Sequence, residues 1–144
     1  MLPPNNSEQL LKLVQINRSV VPSFYRFLQE QDSEKQVDYA EELKQEFTKL
    51  IDAADPTGPF FLGSNLTFVD VQVAPWIIRL NRVLKPYRNW PDPDPNTRWA
   101  KWIEAIERSP HVQATTSTDE LYLDSYERYA GKCGQIQARF VLLR

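Results

Sequence analysis

The stretch GSNLTFVDVQVAPW, Gly63 to Trp76, decides the fold. A polar loop passes into an apolar run, with Asp70 placed three residues after Thr67. That spacing predicts a helix start. The Thr67 hydroxyl accepts from the Asp70 amide while the Asp70 carboxylate reaches back to the Thr67 amide, Asp standing in for the usual Glu or Gln. Leu66 before the cap and Val71 after it are placed to close a hydrophobic staple. From Val71 to Leu80 the run is apolar nearly all round, except for Gln72 and Arg79. This predicts a helix from Phe68 to about Leu84 that is enclosed by others, with a kink at Pro75.

Working outward, the flanking segments also read as helices. Leu10, Leu11, Val14, Val21, Phe24, Tyr25 and Leu28 recur at three and four, predicting a first helix from about Ser7 to Gln31. Asn6 is its expected cap, and Pro22 is expected to bend it. Ser33 and Gln36 have capping-box spacing for a second helix carrying Val37, Ala40, Leu43, Phe47, Leu50 and Ile51. Its Glu and Lys residues read as a solvated face with i,i+4 pairs. The segment DAADPTGP ends that helix, because Pro56, Gly58 and Pro59 do not continue one. After the proline-rich KPYRNWPDPDP, Asp94 is the expected cap of a fourth helix, with Pro95 at its first position. That helix places Trp99, Trp102, Ile103 and Ile106 along one side and stops at Ser109-Pro110. A short turn from His111 and a last helix from about Thr118 to Tyr129 follow. No period-two alternation appears, and FFL is too short to make a sheet. The chain reads as an all-α bundle over residues 1–130, with 131–144 an unassigned tail.

The 144 residues suit one domain with a real core. A net charge of -2 argues against a nucleic-acid footprint and against a polybasic membrane anchor. One cysteine, Cys133, excludes an internal disulfide and a Cys-rich metal site. One histidine, His111, excludes a multi-His metal centre, so no metal is expected. Four glycines in neither dinucleotide nor Walker spacing exclude a phosphate loop. No signal design or apolar run of about 20 residues occurs. A cytoplasmic, reduced environment is expected.

The segments INRSVVPSFYRFLQEQD, EELKQEFTKL, FFLGSNLTFVDVQVAPWIIRL and WAKWIEAIERSPHVQATTSTDELY resemble, in that order, the all-helical C-terminal domain of cytosolic glutathione transferases. They are most similar to the omega class, including fungal omega-like members. The resemblance spans roughly residues 8 to 130 and rests chiefly on Thr67 to Asp70, on Pro75-Trp76 and on SPHVQAT. It implies the helical half that supplies the hydrophobic co-substrate pocket. The family's thioredoxin-like half, which binds glutathione and in the omega class carries the catalytic cysteine, has no counterpart before Ser7. Cys133, near the C-terminus, is not carried over as that cysteine. Glutathione is implied by the family, with no cofactor expected on this chain alone.

The resemblance places Arg79, Tyr122 and Tyr129 at the co-substrate pocket, with Val20, Phe24 and Tyr25 as similar candidates on the first helix. Aromatic residues at helical spacing are also ordinary core, and Trp99 and Trp102 are read that way. A guanidinium on an apolar helix needs an anion, an aromatic face or a carbonyl, so an internal salt bridge competes with the pocket for Arg79. Thr67 and Asp70 are read as structural caps rather than catalytic groups. His111 has no Ser or Cys nucleophile to pair with and is read as structural.

Three functions are compatible with these residues. The first is the hydrophobic co-substrate half of glutathione conjugation or glutathione-dependent reduction, inactive by itself. Its partners would be a hydrophobic small molecule and a thioredoxin-like domain, without nucleic acid or membrane. The second is a protein-interaction or ligand-binding module, including a self-associating one, since the face that normally meets the other half is free. The third is a protein of specialised metabolism that uses only the helical pocket.

Overall fold

The computed structural model describes Leu11 and residues 14–131. Asn6 and Cys133, and with them nearly all of the 131–144 segment, lie outside the described residues. In chain order the elements are π1 (Ile16–Val20), α1 (Val21–Gln29), α2 (Ser33–Ala53), α3 (Phe68–Arg79), π2 (Leu80–Leu84), α4 (Lys85–Arg88), α5 (Arg98–Arg108), α6 (Pro110–Thr115) and α7 (Asp119–Ala130). Among the described residues the only extended pairing is an isolated bridge between Phe60 and Gly63. The architecture is all-α.

The first helix changes pitch where Pro22 was expected to bend it. Pro22 has no amide and its ring crowds the preceding turn. Just upstream the turn widens, and the Val21 amide returns to the Ile16 carbonyl as a π-turn. The second helix starts one residue earlier than its Ser33 spacing suggested. Asp32 is the cap, accepting from the Glu34 and Lys35 amides at 2.9 and 3.2 Å, while Gln36 donates instead to the Glu30 carbonyl. Leu43, Phe47 and Leu50 are buried as expected, whereas Val37 is 69% exposed. The ion pair within α2 is Lys49 to Glu46 at i,i+3 rather than i,i+4. The fourth predicted helix is likewise shifted. Its cap is Thr97, accepting from the Ala100 amide, not Asp94, whose carbonyl takes the Thr97 hydroxyl. The turn after Ser109 is a helix, α6, with Pro110 in its first turn.

Helix α3 begins at Thr67, and Asp70 is completely buried. The Asp70 carboxylate accepts from the Thr67 amide at 2.8 Å and its hydroxyl at 3.0 Å. It also takes the Phe61 amide at 2.9 Å and the Trp102 indole N–H at 2.7 Å. One capping carboxylate thereby ties the α3 start, the FFL loop and α5 together, and α3 packs on α5. The expectation that α3 is enclosed on every side is corrected. Val69, Val73, Ala74, Ile77 and Ile78 are buried, but Phe68 and Val71 are 69% and 51% exposed. After Arg79 the helix widens into π2, which packs on α7.

The core runs from Ile16, Val20, Phe24 and Leu28 through Leu43 and Leu50 to Ile77, Val83, Leu84, Trp102 and Ile106. Two arginines tie backbone carbonyls, one at helix ends and one in a loop. Arg88 donates to the Leu28 carbonyl and to that of Ala130, joining the ends of α1 and α7. Arg98 donates to the Asp55, Pro59 and Phe60 carbonyls at 2.7, 2.8 and 2.7 Å, fixing the loop that leads to α3. Burial pulls both guanidinium groups below their usual range.

Candidate functional site

Arg79 is the last residue of α3, immediately before π2. Its guanidinium lies over three rings, with its carbon 5.3 Å from the Trp76 centroid, 5.3 Å from Tyr122 and 5.6 Å from Tyr126. Trp76 is one turn back on α3. Tyr122 and Tyr126 are one turn apart on α7, so the packing of π2 on α7 brings the three rings to one cation. Arg79 Nε donates to the Tyr126 hydroxyl at 2.6 Å, and Nη1 donates to the Pro75 carbonyl at 2.8 Å. Among the described residues no carboxylate forms an ion pair with Arg79. The salt-bridge alternative for Arg79 therefore gives way to an aromatic cage and a carbonyl, which satisfy a half-buried guanidinium by cation–π attraction and hydrogen bonding.

A second layer of rings backs the cage. The Tyr25 and Tyr126 hydroxyls lie 3.4 Å apart. Tyr25 packs on Trp76, Tyr126 and Tyr129, and Phe24 meets Trp76 and Tyr126 edge-on at 5.4 and 6.2 Å. Burial, followed by the hydrogen bond to Tyr126, holds the Tyr25 phenol well above its usual range, against a smaller opposing effect of Arg79. Tyr25 therefore stays protonated at any physiological pH.

Two cavities open on either side of the cage. One, of about 360 Å³, is lined by Val71, Ala74, Ile78 and Arg79 of α3, His111 and Val112 of α6, and Tyr122 of α7. The other, of about 270 Å³, lies against α7 and is lined by Tyr25, Arg79, Tyr122, Tyr126 and Tyr129. Arg79, Ser117 and Tyr122 belong to both. Leu66 and Val71, the expected staple pair, both line the larger cavity.

Of the residues singled out in the sequence, Arg79 and Tyr122 therefore face both cavities, and Tyr25 and Tyr129 face one. Val20 and Phe24 face neither. They are 0% and 1% exposed, and their side chains fill the core beneath the cage. Thr67 and Asp70 sit at the opposite end of α3 from Arg79. Trp76, Tyr126, Ser117 and His111 were not anticipated as lining or caging groups. Tyr126 had a signal in its spacing, four residues after Tyr122 and three before Tyr129. His111 lines the larger cavity from the first turn of α6, which was read as a short turn. Among the described residues no cluster of His, Cys, Asp or Glu could hold a metal ion, and no helix is long and apolar enough to cross a membrane.

A sequence model of the glutathione S-transferase C-terminal domain matches residues 29–105. Among curated proteins, none matches the chain. Among solved structures, the chain is similar to glutathione transferase Omega 3C from Trametes versicolor, with 28% identity and a TM-score of 0.78. The similarity covers 90% of this chain and 55% of that one, so this chain spans little more than half of the fungal enzyme's length.

Proposed function

Because the chain belongs to the family of glutathione S-transferase C-terminal domains, we propose that it supplies the hydrophobic co-substrate half of an omega-like glutathione conjugation or glutathione-dependent reduction. The observation that carries this reading is the pair of cavities meeting at Arg79 and Tyr122. The larger joins apolar walls to a few convergent polar groups, the usual composition of a small-molecule site, and the smaller is lined mainly by tyrosines. Tyrosine rings bury a flat apolar ligand while their hydroxyls fix its orientation. In conjugation, the sulfur of a glutathione thiolate forms a bond to an electrophilic carbon, and the leaving group departs with the electron pair. These helices hold and orient that carbon, which contributes by proximity. The thiolate is bound and activated by a thioredoxin-like half, as a separate partner or as further chain, in the cytoplasm.

The test is binding and turnover with the purified chain. An apolar aryl halide, 1-chloro-2,4-dinitrobenzene, should quench tryptophan fluorescence. Tyr122→Ala should weaken binding about tenfold, the order expected for loss of one ring contact in a pocket. Conjugation of glutathione by the chain alone should not exceed the uncatalysed rate. Absence of saturable binding overturns the pocket, and turnover well above background overturns the division of labour between the two halves.

A further inference from the structure

A third cavity, of about 160 Å³, shares no lining residue with the two that meet at Arg79. Its apolar walls come from Ile77 of α3, Leu80 of π2, Ile103 of α5, and Trp90, Pro91 and Pro93 of the loop between α4 and α5. That loop is held against the helices. The chain reverses at Asn89, which takes the left-handed conformation at φ 57°, and the Trp90 amide returns to the Leu84 carbonyl at 3.3 Å. Trp90 is thereby buried against Phe27, with ring centroids 6.0 Å apart. Proline has no amide to donate, so Pro91 and Pro93 add apolar wall.

The charges at this cavity are already matched. Lys85 pairs with Asp92 at 2.8 Å, and Glu107 pairs with Arg82 at 2.8 Å. A charged ligand would have to displace one of these partners, whereas a neutral one leaves both pairs intact. One polar group of the lining is uncommitted. The Asn81 carboxamide forms no hydrogen bond to a described residue, and it offers both donors and an acceptor. The volume sets the size of the occupant, since an apolar cavity of about 150 Å³ accommodates a single benzene ring.

We infer that this cavity binds a small neutral aromatic with one ring and one hydrogen-bonding substituent, a phenol being the simplest of the class. Its ring lies against Trp90 and between Ile77, Leu80 and Ile103, and its hydroxyl bonds to the Asn81 carboxamide. Contact with the indole favours an aromatic body over an aliphatic one of equal volume. The site is separate from the co-substrate pocket. Ile77 lines it while the adjacent Ile78 lines the larger cavity, so the two sites stand on different faces of α3.

Nuclear magnetic resonance titration of the full isotope-labelled chain at neutral pH compares three ligands of one ring: 4-fluorophenol, fluorobenzene, which lacks the hydroxyl, and 4-fluorobenzoate, an anion. The Trp90 indole N–H resonance should shift saturably with 4-fluorophenol, while that of Trp76, beside Arg79, stays in place. Fluorobenzene should bind about three- to tenfold more weakly, the worth of one hydrogen bond. 4-Fluorobenzoate should leave Trp90 unshifted. Asn81→Leu should bring the phenol down to the affinity of fluorobenzene, and Ile103→Trp, which fills the cavity, should abolish binding of both. The wild-type titrations need no variant, so they decide the matter even if Ile103→Trp unfolds. No saturable shift of Trp90, or a shift of Trp76 alone, overturns this site and leaves the pocket at Arg79 untouched. Equal affinity for 4-fluorophenol and fluorobenzene overturns the role of Asn81. Binding of 4-fluorobenzoate at Trp90 as tight as that of the phenol overturns the selection for a neutral ligand. Undiminished binding to a folded Ile103→Trp chain overturns the site.

Discussion

The indole N–H of Trp102 donates to Asp70 Oδ1 at 2.7 Å, and both side chains are completely buried. A residue that caps α3 therefore also anchors the fully buried tryptophan of α5, thirty-two positions away.

Loss of that carboxylate should be costly. Asp70→Ala strands the Trp102 N–H and the amides of Phe61 and Thr67 in a buried site, at about 3 kcal/mol or more in total. Thr67→Ala removes the cap hydroxyl alone and should cost about 0.5–2 kcal/mol. Thermal unfolding checks both, with a drop of about 10 °C expected for Asp70→Ala. Combining Asp70→Asn with Trp102→Phe should cost less than the sum of the two single changes. An Asp70→Ala protein that melts like the wild type but binds ligand differently would return Asp70 to the functional site.

Gly58 should not tolerate a side chain. Its φ is +63°, and an added Cβ would lie 2.6 Å from the Arg98 guanidinium carbon. Gly58→Ala should therefore destabilise by about 1–3 kcal/mol, part from backbone strain and part from displacement of Arg98. Denaturant titration should show a smaller penalty for Gly58→Ala in an Arg98→Ala background, where only the strain remains.

Acid should weaken the loop before α3. Asp55 Oδ1 accepts from the Thr57 hydroxyl at 2.7 Å and from the Gly58 and Thr57 amides at 2.8 and 2.9 Å. The Thr57 hydroxyl and then these amides hold its carboxyl below the usual range. A depressed folded value means that the stabilisation is present above the unfolded value of about 3.9 and is lost as pH falls through the folded one. The stability difference between wild type and Asp55→Asn should be constant near neutrality and shrink below about pH 4.

Alkali should act through Tyr25. Its phenol is raised by burial and by Tyr126, so the contribution is complete below the unfolded value of about 10 and is lost as pH rises above it. Tyr25→Phe should show a shallower loss of stability above about pH 10 than wild type. Phenolate absorbance should show one fewer late-titrating tyrosine in the variant.

The helical periodicities and the Thr67 to Asp70 spacing were sufficient to read an all-α bundle and the start of α3, because both signals are local. Caps at Asp32 and Thr97 were misplaced by one and three residues, since several Asp, Ser and Thr side chains compete for one helix start and only the backbone path selects among them. Val37, Phe68 and Val71 show the same limit for packing. Their apolar character is visible in sequence, but whether another element covers them is not.

Arg79 was legible as an anomaly, a charge on an apolar helix, and so were the tyrosines of α7. Their meeting was not. Trp76 and Arg79 come from one segment and Tyr122 and Tyr126 from another more than forty residues on, and only the docking of π2 against α7 sets their rings around one guanidinium. Sequence by itself determined the all-α class and most of the helical segments, because helix formation and capping act over three or four neighbours. Tertiary structure alone decided that Val20 and Phe24 fill the core while Tyr25, Tyr122 and Tyr129 line a cavity, because burial depends on which surfaces meet, and that is a property of the assembled bundle.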